Sequence, residues 1–385
     1  MSTRWPNELP PPGELDFLPT RRVVWGPGSI GRLEELLDAV AATRVLVLTS
    51  RSLAQEGELV ARVRRHCGSR YAAQFDQVPA HVPRPAVDAA VAAALAVRAN
   101  ALVAFGGGSV IDAAKAVSAR LADEHGRAPA IVAVPTTLSG AEFADHYGVT
   151  DLHGDDAMAA KRTYTRQDVT PAAVVLDARL TAATPRWLWA GSAVKALDHA
   201  VEGLLCSPPR PVLDELAAAG IRRFVSVLPR SLDPEAVDAR QACQIAAWYC
   251  YFAPASLTLG LSHRIGHVLG GTYGVPHAFT SGLTLPAVVH VTGRTVPPRL
   301  ALLADSLGAD GPVLEPGLAR DPSPDALLSR LIVGVGLPSR LREVGIIQQA
   351  DLEVIARQVA GRYPSALGQL AGTGVTLHQL LDGIW

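Results

Sequence analysis

The apolar positions of this chain follow two periods. Through the first half, short runs of β-branched and aliphatic residues recur: RRVVWG, RVLVLT, YAAQF, ALVAF and AIVAV, with a further run, AAVVLDA, near 172–178. Short apolar runs bounded by Gly, Pro or charged residues read as buried strands. Between them lie SIGRLEELLDAVAA, SLAQEGELVARVRRHC and PAVDAAVAAALAVRAN. Their apolar residues recur every three or four positions, the period of a helix buried on one face. Strand–helix alternation of this kind predicts parallel strands joined by crossover helices, an α/β, Rossmann-like layer.

From about residue 184 the short period disappears. TPRWLWAGSAVKALDHAVEGLLC, PVLDELAAAGIRRFVSVL and DARQACQIAAWYCYFA read as helices, and so does most of the remainder. The expected division is a Pro-rich arm over 1–20, an α/β domain over 21–184 and an all-α domain over 185–385, with the boundary at Thr184–Pro185. No internal repeat is visible. The stretch DSLGADGPVLEPGLARDPSPD, 305–325, reads as a long surface loop.

Composition narrows the function classes. A chain of 385 residues that is 49% hydrophobic but 5% aromatic can bury a sizeable core of Ala, Val and Leu. A net charge of −1, with no Lys/Arg-rich run, argues against nucleic acid as a partner. The start, MSTRWPNELPPPGELDF, has no apolar stretch behind a basic one and does not read as a signal peptide. No apolar run reaches the roughly 18 residues of a membrane span. A cytoplasmic protein acting on a small molecule is the expectation. Cys67, Cys206, Cys243 and Cys250 fit no zinc spacing and read as core thiols.

ALVAFGGGSVIDAAKAVSARLA carries the clearest chemistry of the first half. A buried strand runs into Gly106, Gly107 and Gly108, and a helix follows at once. Glycines at this junction let backbone N–H groups approach an anion, and the helix dipole favours negative charge there. This is what a pyrophosphate needs. Ser109 and Asp112 have capping-box spacing, so Ser109 is the expected N-cap. The second strand ends at Thr49, Ser50 and Arg51, where a carboxylate would hold a free 2′-hydroxyl. With an Arg there and no carboxylate, NADPH is expected over NADH. Thr136, Thr137 and Ser139 follow the next strand, where their hydroxyls could meet a coenzyme or cap a turn. The second half carries HRIGHVLGGTYGVPH, whose His263, His267 and His277 suggest a metal cage or a site that has lost its metal.

GGGSVIDAAKAVS, PTTLSGAEF, VKALDHAVEG and LSHRIGHVLGGTYGVPH come in this order and at suitable intervals. Together they resemble the iron-containing alcohol dehydrogenase family, with a dehydroquinate synthase-like fold, and within it the maleylacetate reductase branch. The resemblance covers nearly the whole chain from about residue 20. It implies a coenzyme, NADPH or NADH, in the α/β domain, its pyrophosphate at Gly106–Ser109 and its path lined by Thr136, Thr137 and Ser139. Lys161 matches a family lysine that could meet a carboxylate or the coenzyme. A helical domain carries the active site, and a homodimer is expected.

In metal-dependent members an Asp and three His bind a divalent ion. The matching positions are Lys195, His199, His263 and His277, and His267 matches a histidine near nicotinamide and substrate. Lys195 breaks the pattern, because an ammonium repels a dication and has no lone pair. Asp198, roughly 100° from His199 around the helix, is badly placed to substitute. The expected site is therefore metal-free. Lys195 stands near the metal's place as fixed charge or proton donor, and Lys195, His199, His263, His267 and His277 are the candidate catalytic residues. The expected activity is NAD(P)H-dependent reduction of a small keto or enone acid. The alternatives are a non-redox cyclase, lyase or isomerase on the same fold, a metal-dependent alcohol dehydrogenase, or a scaffold without activity. Asp145 and His146 replace residues that are apolar or small in the reductase branch, and could shape the substrate pocket or a surface turn.

Overall fold

The computed structural model describes residues 14–151, 160–308 and 323–385. In chain order the first half runs β1 (Arg22–Trp25), α1 (Leu33–Ala39), β2 (Val45–Leu48), α2 (Arg51–Ala54), α3 (Gly57–His66), β3 (Tyr71–Phe75), α4 (Arg84–Ala96), β4 (Ala101–Gly106), α5 (Gly108–His125) and β5 (Ala130–Pro135). It ends with β6 (His146–Asp151), β7 (Ala160–Thr165) and β8 (Ala173–Leu176). The second half is helical: α6 (Arg186–Cys206), α7 (Pro211–Ser231), α8 (Val237–Cys250), α9 (Leu261–Tyr273), α10 (His277–Thr292), α11 (Pro297–Gly308), α12 (Pro324–Gly334), α13 (Ala350–Arg362) and α14 (Leu377–Gly383).

The six apolar runs of the first half form one parallel sheet in the order β1-β8-β5-β4-β2-β3. The central strands β4 and β2 are buried along their whole length, as a sheet covered on both faces requires. α1 and α3 pack on one face, and α4 and α5 on the other. The strand order reverses between β2 and β4, so the helices that follow these strands leave to opposite faces. The crevice this opens at the carboxyl edge is where open α/β sheets hold ligands.

An antiparallel hairpin, β6–β7, packs beside α5 and was not expected from the sequence. Its strands, HYGVTD and AKRTYT, carry no contiguous apolar run, and Tyr147 stacked on Tyr164 at 5.4 Å ties them together. The expected loop over 305–325 lies mostly outside the described residues, and residues 305–308 finish α11 instead. Of the expected arm, residues 1–13 lie outside them too. Three cysteines are buried as expected, and Cys206 is only partly so. No described helix is long and apolar enough to cross a membrane.

α6 is the axis of the second half. It is buried without interruption from Trp189 to Leu204 and packs against α7, α8, α9, α10 and α11. A helix surrounded on all sides should be apolar all round. This one carries Lys195, Asp198, His199 and Glu202 in its buried stretch.

The sheet and the helical layer are fastened by Arg240, which is 1% exposed. Its guanidinium lies 3.8 Å over the Trp189 ring. It donates to Thr181 Oγ1 and Thr181 O at 2.7 Å each and to Ser231 O at 3.2 Å. No carboxylate meets it in these bonds, and burial pushes its pKa down to about 10. Arg240→Met removes the donors and leaves buried acceptors unpaired. The expected cost is about 1–3 kcal/mol, read as a lower urea midpoint. An unchanged midpoint would show that packing alone joins the layers.

Candidate active site

The crevice between β2 and β4 collects three loops from adjacent strands. After β2, Ser50 caps α2, its Oγ accepting from Leu53 N–H at 3.3 Å, and Arg51 opens that helix with its side chain exposed. After β4, Gly106 ends the strand, Gly107 is the N-cap residue, and Gly108 and Ser109 form the first turn of α5. Ser109 is therefore not the N-cap, and no side chain caps this helix. Asp112 instead accepts from Gly148 N–H at 3.2 Å, which turns the expected capping box toward the hairpin. The uncapped N–H groups stay available to an anion.

After β5, Thr136 N–H donates to Gly106 O at 3.0 Å. A Cβ on Gly107 would stand 2.9 Å from Thr137 Cγ2, and one on Gly108 would stand 3.0 Å from Ser139 Oγ. The glycines thus let the Thr136–Ser139 loop lie directly on the phosphate loop. Ser192 of α6 accepts Leu138 N–H at 3.1 Å, which fastens this loop to the helical layer. Lys161 falls on β7 opposite Thr150, in the second sheet.

The histidines form two pairs. His199 and His263 are buried, their rings stacked at 4.8 Å. His267 and His277 lie 6.2 Å apart, with His277 exposed at the start of α10 and His267 Nδ1 at 3.3 Å from Tyr363 Oη. His199 also stacks on Tyr251 at 4.0 Å.

Two carboxylates of α6 hold the buried pair. Glu202 Oε1 accepts Ser262 N–H and Oε2 accepts Gly260 N–H, each at 2.7 Å. These are free N–H groups at the start of α9, so Glu202 caps the helix that carries His263 and His267. Glu202 Oε2 also lies 2.6 Å from His263 Nδ1. Asp198 Oδ2 stands 3.0 Å from the same nitrogen, accepts from Ser281 Oγ at 2.6 Å and lies 4.0 Å from Lys195 Nζ.

The charges follow from these contacts. Burial presses against a charge on His263, but the Asp198 carboxylate, with Glu202, outweighs it against the opposing Lys195, and the imidazole is held above its ordinary value. Burial also works against the Asp198 carboxylate, yet His263 and then Lys195 hold it below its ordinary value. His199 lies well below its ordinary value, first through burial and then through His263, Lys195, His146 and His277. It is neutral at physiological pH. The arrangement is a buried imidazolium between two carboxylates, a neutral imidazole stacked on it, and an ammonium beside them. Such a site can hold an anion or stabilise a developing oxyanion.

The architecture matches that of known proteins. The family model for iron-containing alcohol dehydrogenase matches residues 19–178, and the Fe-containing alcohol dehydrogenase family, C-terminal, model matches residues 189–366. The chain belongs to the iron-containing alcohol dehydrogenase family. The maleylacetate reductase of Pseudomonas aeruginosa is 34% identical over 347 residues, 89% of this chain and 90% of its own length. That of Sphingobium indicum is 30% identical over 345 residues, again 89% and 90%. A putative alcohol dehydrogenase structure from Ralstonia eutropha superposes with a TM-score of 0.81 at 30% identity, covering 97% of this chain and 98% of the other. A maleylacetate reductase structure from Rhizobium sp. gives 0.81 at 26% identity over the same shares. The chain is an oxidoreductase of this family, in the branch that resembles the maleylacetate reductases.

The family's namesake metal fits these donors poorly. Lys195 offers an ammonium where a carboxylate ligand would stand. His263 has Nδ1 committed to carboxylates and only Nε2 left. Among the described residues, the ligand atoms that lie within 4.8 Å of one another belong to Asp198, Glu202 and His263, not to the three histidines. Those carboxylates already accept from Gly260, Ser262, Ser281 and His263, which leaves Asp198 Oδ1 and His263 Nε2 as the unpartnered ligand atoms of this cluster.

Sequence reasoning missed Glu202, and it weighed Asp198 only as a metal ligand. The signal for Glu202 was there. Lys195, His199 and Glu202 follow the i, i+4, i+7 spacing of one helix face, and a charged stripe in an apolar helix marks a site.

Linkage gives a test of the imidazolium. A raised histidine contributes stability that is fully present below its unfolded value of 6.5 and is lost as pH climbs through the higher folded value. The stability advantage of the wild type over His263→Gln should be largest below that value and shrink above it. An advantage that grows with pH would mean His263 is neutral in the folded protein.

Proposed function

We propose that this chain is an NAD(P)H-dependent reductase of a small keto or enone acid, working without a bound metal. The observation that carries the reading is the buried ammonium of Lys195, 6% exposed and 4.0 Å from Asp198, at the position where the family's metal-dependent members supply a carboxylate. The α/β half, taken as 21–184, would hold the coenzyme, and the helical half, 185–385, the substrate.

A bound reduced nicotinamide supplies hydride to a carbonyl carbon or to a conjugated C=C. The N–H groups of Gly108 and Ser109 hold its pyrophosphate, and Thr136, Thr137 and Ser139 line its path. Arg51 stands after β2 with no carboxylate beside Ser50, which favours a 2′-phosphate. Lys195 sets a fixed positive charge where the substrate oxygen becomes an oxyanion, and the Nε2 side of His263 adds a donor. His199 keeps a neutral, non-competing imidazole next to them. His267 and His277, at the mouth, meet the acid group.

Two measurements test this. Fluorescence titration should show saturable NADPH binding tighter than NADH. A tenfold preference for NADH would sink the coenzyme assignment, and no binding would sink the redox reading. Lys195→Ala should lose about 10²–10³ in kcat with NADPH affinity unchanged, while wild-type turnover survives chelator treatment. Turnover unchanged in the variant, or turnover lost to chelator and restored by iron or zinc, would overturn the metal-free mechanism.

A further inference from the structure

The buried site raises a supply problem. Lys195, His199 and His263 are 6%, 5% and 1% exposed. A reductase consumes one proton per turnover, so some group must pass a proton from water to the substrate oxygen.

The segment after the Thr136–Ser139 loop offers that group. His146 opens β6 with its side chain 38% exposed. Its Nε2 lies 3.3 Å from the Tyr251 hydroxyl, and its Nδ1 lies 3.6 Å from Asp145 Oδ1. His146 holds the Asp145 carboxyl below its ordinary value. Tyr251 itself is 3% exposed, and its ring lies on His199 at 4.0 Å and 16°. The contact is built from both halves of the chain. Gly140, at φ +77°, leaves room for the ring, since a Cβ there would stand 2.8 Å from Tyr251 Cδ1. Lys115 Nζ donates to Ala141 O at 2.6 Å and to His146 O at 3.0 Å, which fixes the backbone around His146.

We propose that Tyr251 and His146 are the proton-delivery arm of this active site, with Tyr251 giving a proton to the substrate oxygen and His146, backed by Asp145, replacing it from water. The proposal rests on the reductase reading. The substrate carbon gains the hydride, and the π pair of its C=O becomes a lone pair on oxygen. The Tyr251 O–H bond breaks and its proton forms the new O–H bond. The phenolate then takes the Nε2 proton of His146 as the ring gains one from solvent at Nδ1. An alkoxide is a stronger base than a phenolate, so the transfer runs downhill.

The test uses NADPH and a panel of small keto acids. Tyr251→Phe keeps the ring on His199 and removes only the hydroxyl. It should lose about a hundredfold or more in kcat, with NADPH affinity unchanged. His146→Ala should lose about tenfold or more and regain rate when free imidazole is added, which a purely structural role would not allow. Turnover of Tyr251→Phe within twofold of wild type, or a His146→Ala loss that imidazole does not restore, would overturn the arm while leaving the reductase reading in place. A wild type that consumes no NADPH with any of the acids would overturn both.

Discussion

The Glu202 carboxylate is the contact on which the site depends. It sits in the buried stretch of α6 and accepts from the first N–H groups of α9 and from His263. A buried carboxylate is tolerated only when its oxygens are satisfied, and these are. The same contacts fix the start of α9 against α6 and set the plane of the His263 ring. His263, His267 and the turn into α10 take their places from that anchor. Loss of the carboxylate would therefore do more than remove one charge. It would leave free N–H groups buried at a helix start, with the dipole pointing at nothing.

The electrostatics of α6 explain how an ammonium can be kept there. Lys195, Asp198, His263 and Glu202 alternate in sign across a few ångströms, with Asp198 Oδ2 4.0 Å from Lys195 Nζ and 3.0 Å from His263 Nδ1. Buried charges are costly alone and stable in paired, hydrogen-bonded sets. A dication needs converging lone pairs; an ammonium at Lys195 offers none, and Glu202 and Asp198 Oδ2 spend theirs on N–H and O–H donors. Asp198 and Glu202 both hold His263 from α6, with Lys195 beside Asp198.

Much of the fold was legible because it depends on local patterns. Each of the six parallel strands is a short apolar run, and α6, α7 and α8 each carry a helical period. The glycine and hydroxyl loops after β4 and β5 were legible as strand-end segments too. Hidden features depend on tertiary contact. The β6–β7 hairpin is held by Tyr147 on Tyr164, a pairing that no period in either segment announces. Ser109 looked like a cap because Asp112 follows at the right spacing, but the N-cap is Gly107, two residues earlier, and Asp112 is drawn to Gly148. The division of the four histidines into a buried pair and a mouth pair is likewise set by where α9 and α10 end up, not by their spacing.

Lys115 joins the two ligand-facing parts of the molecule. It stands two turns along α5 from the phosphate loop and grips the carbonyls of Ala141 and His146. Burial pushes its pKa down to about 8, and Asp112, then Glu142 and Asp145, oppose that shift. Its charge is therefore held mainly by the geometry it creates. The helix whose N-terminus faces the crevice and the loop whose histidine meets Tyr251 become one piece through it. Tyr251 in turn lies on His199, in the helical half. The glycine loop, α5, the Ala141–His146 segment, Tyr251 and the imidazole stack form a continuous chain of packed contacts.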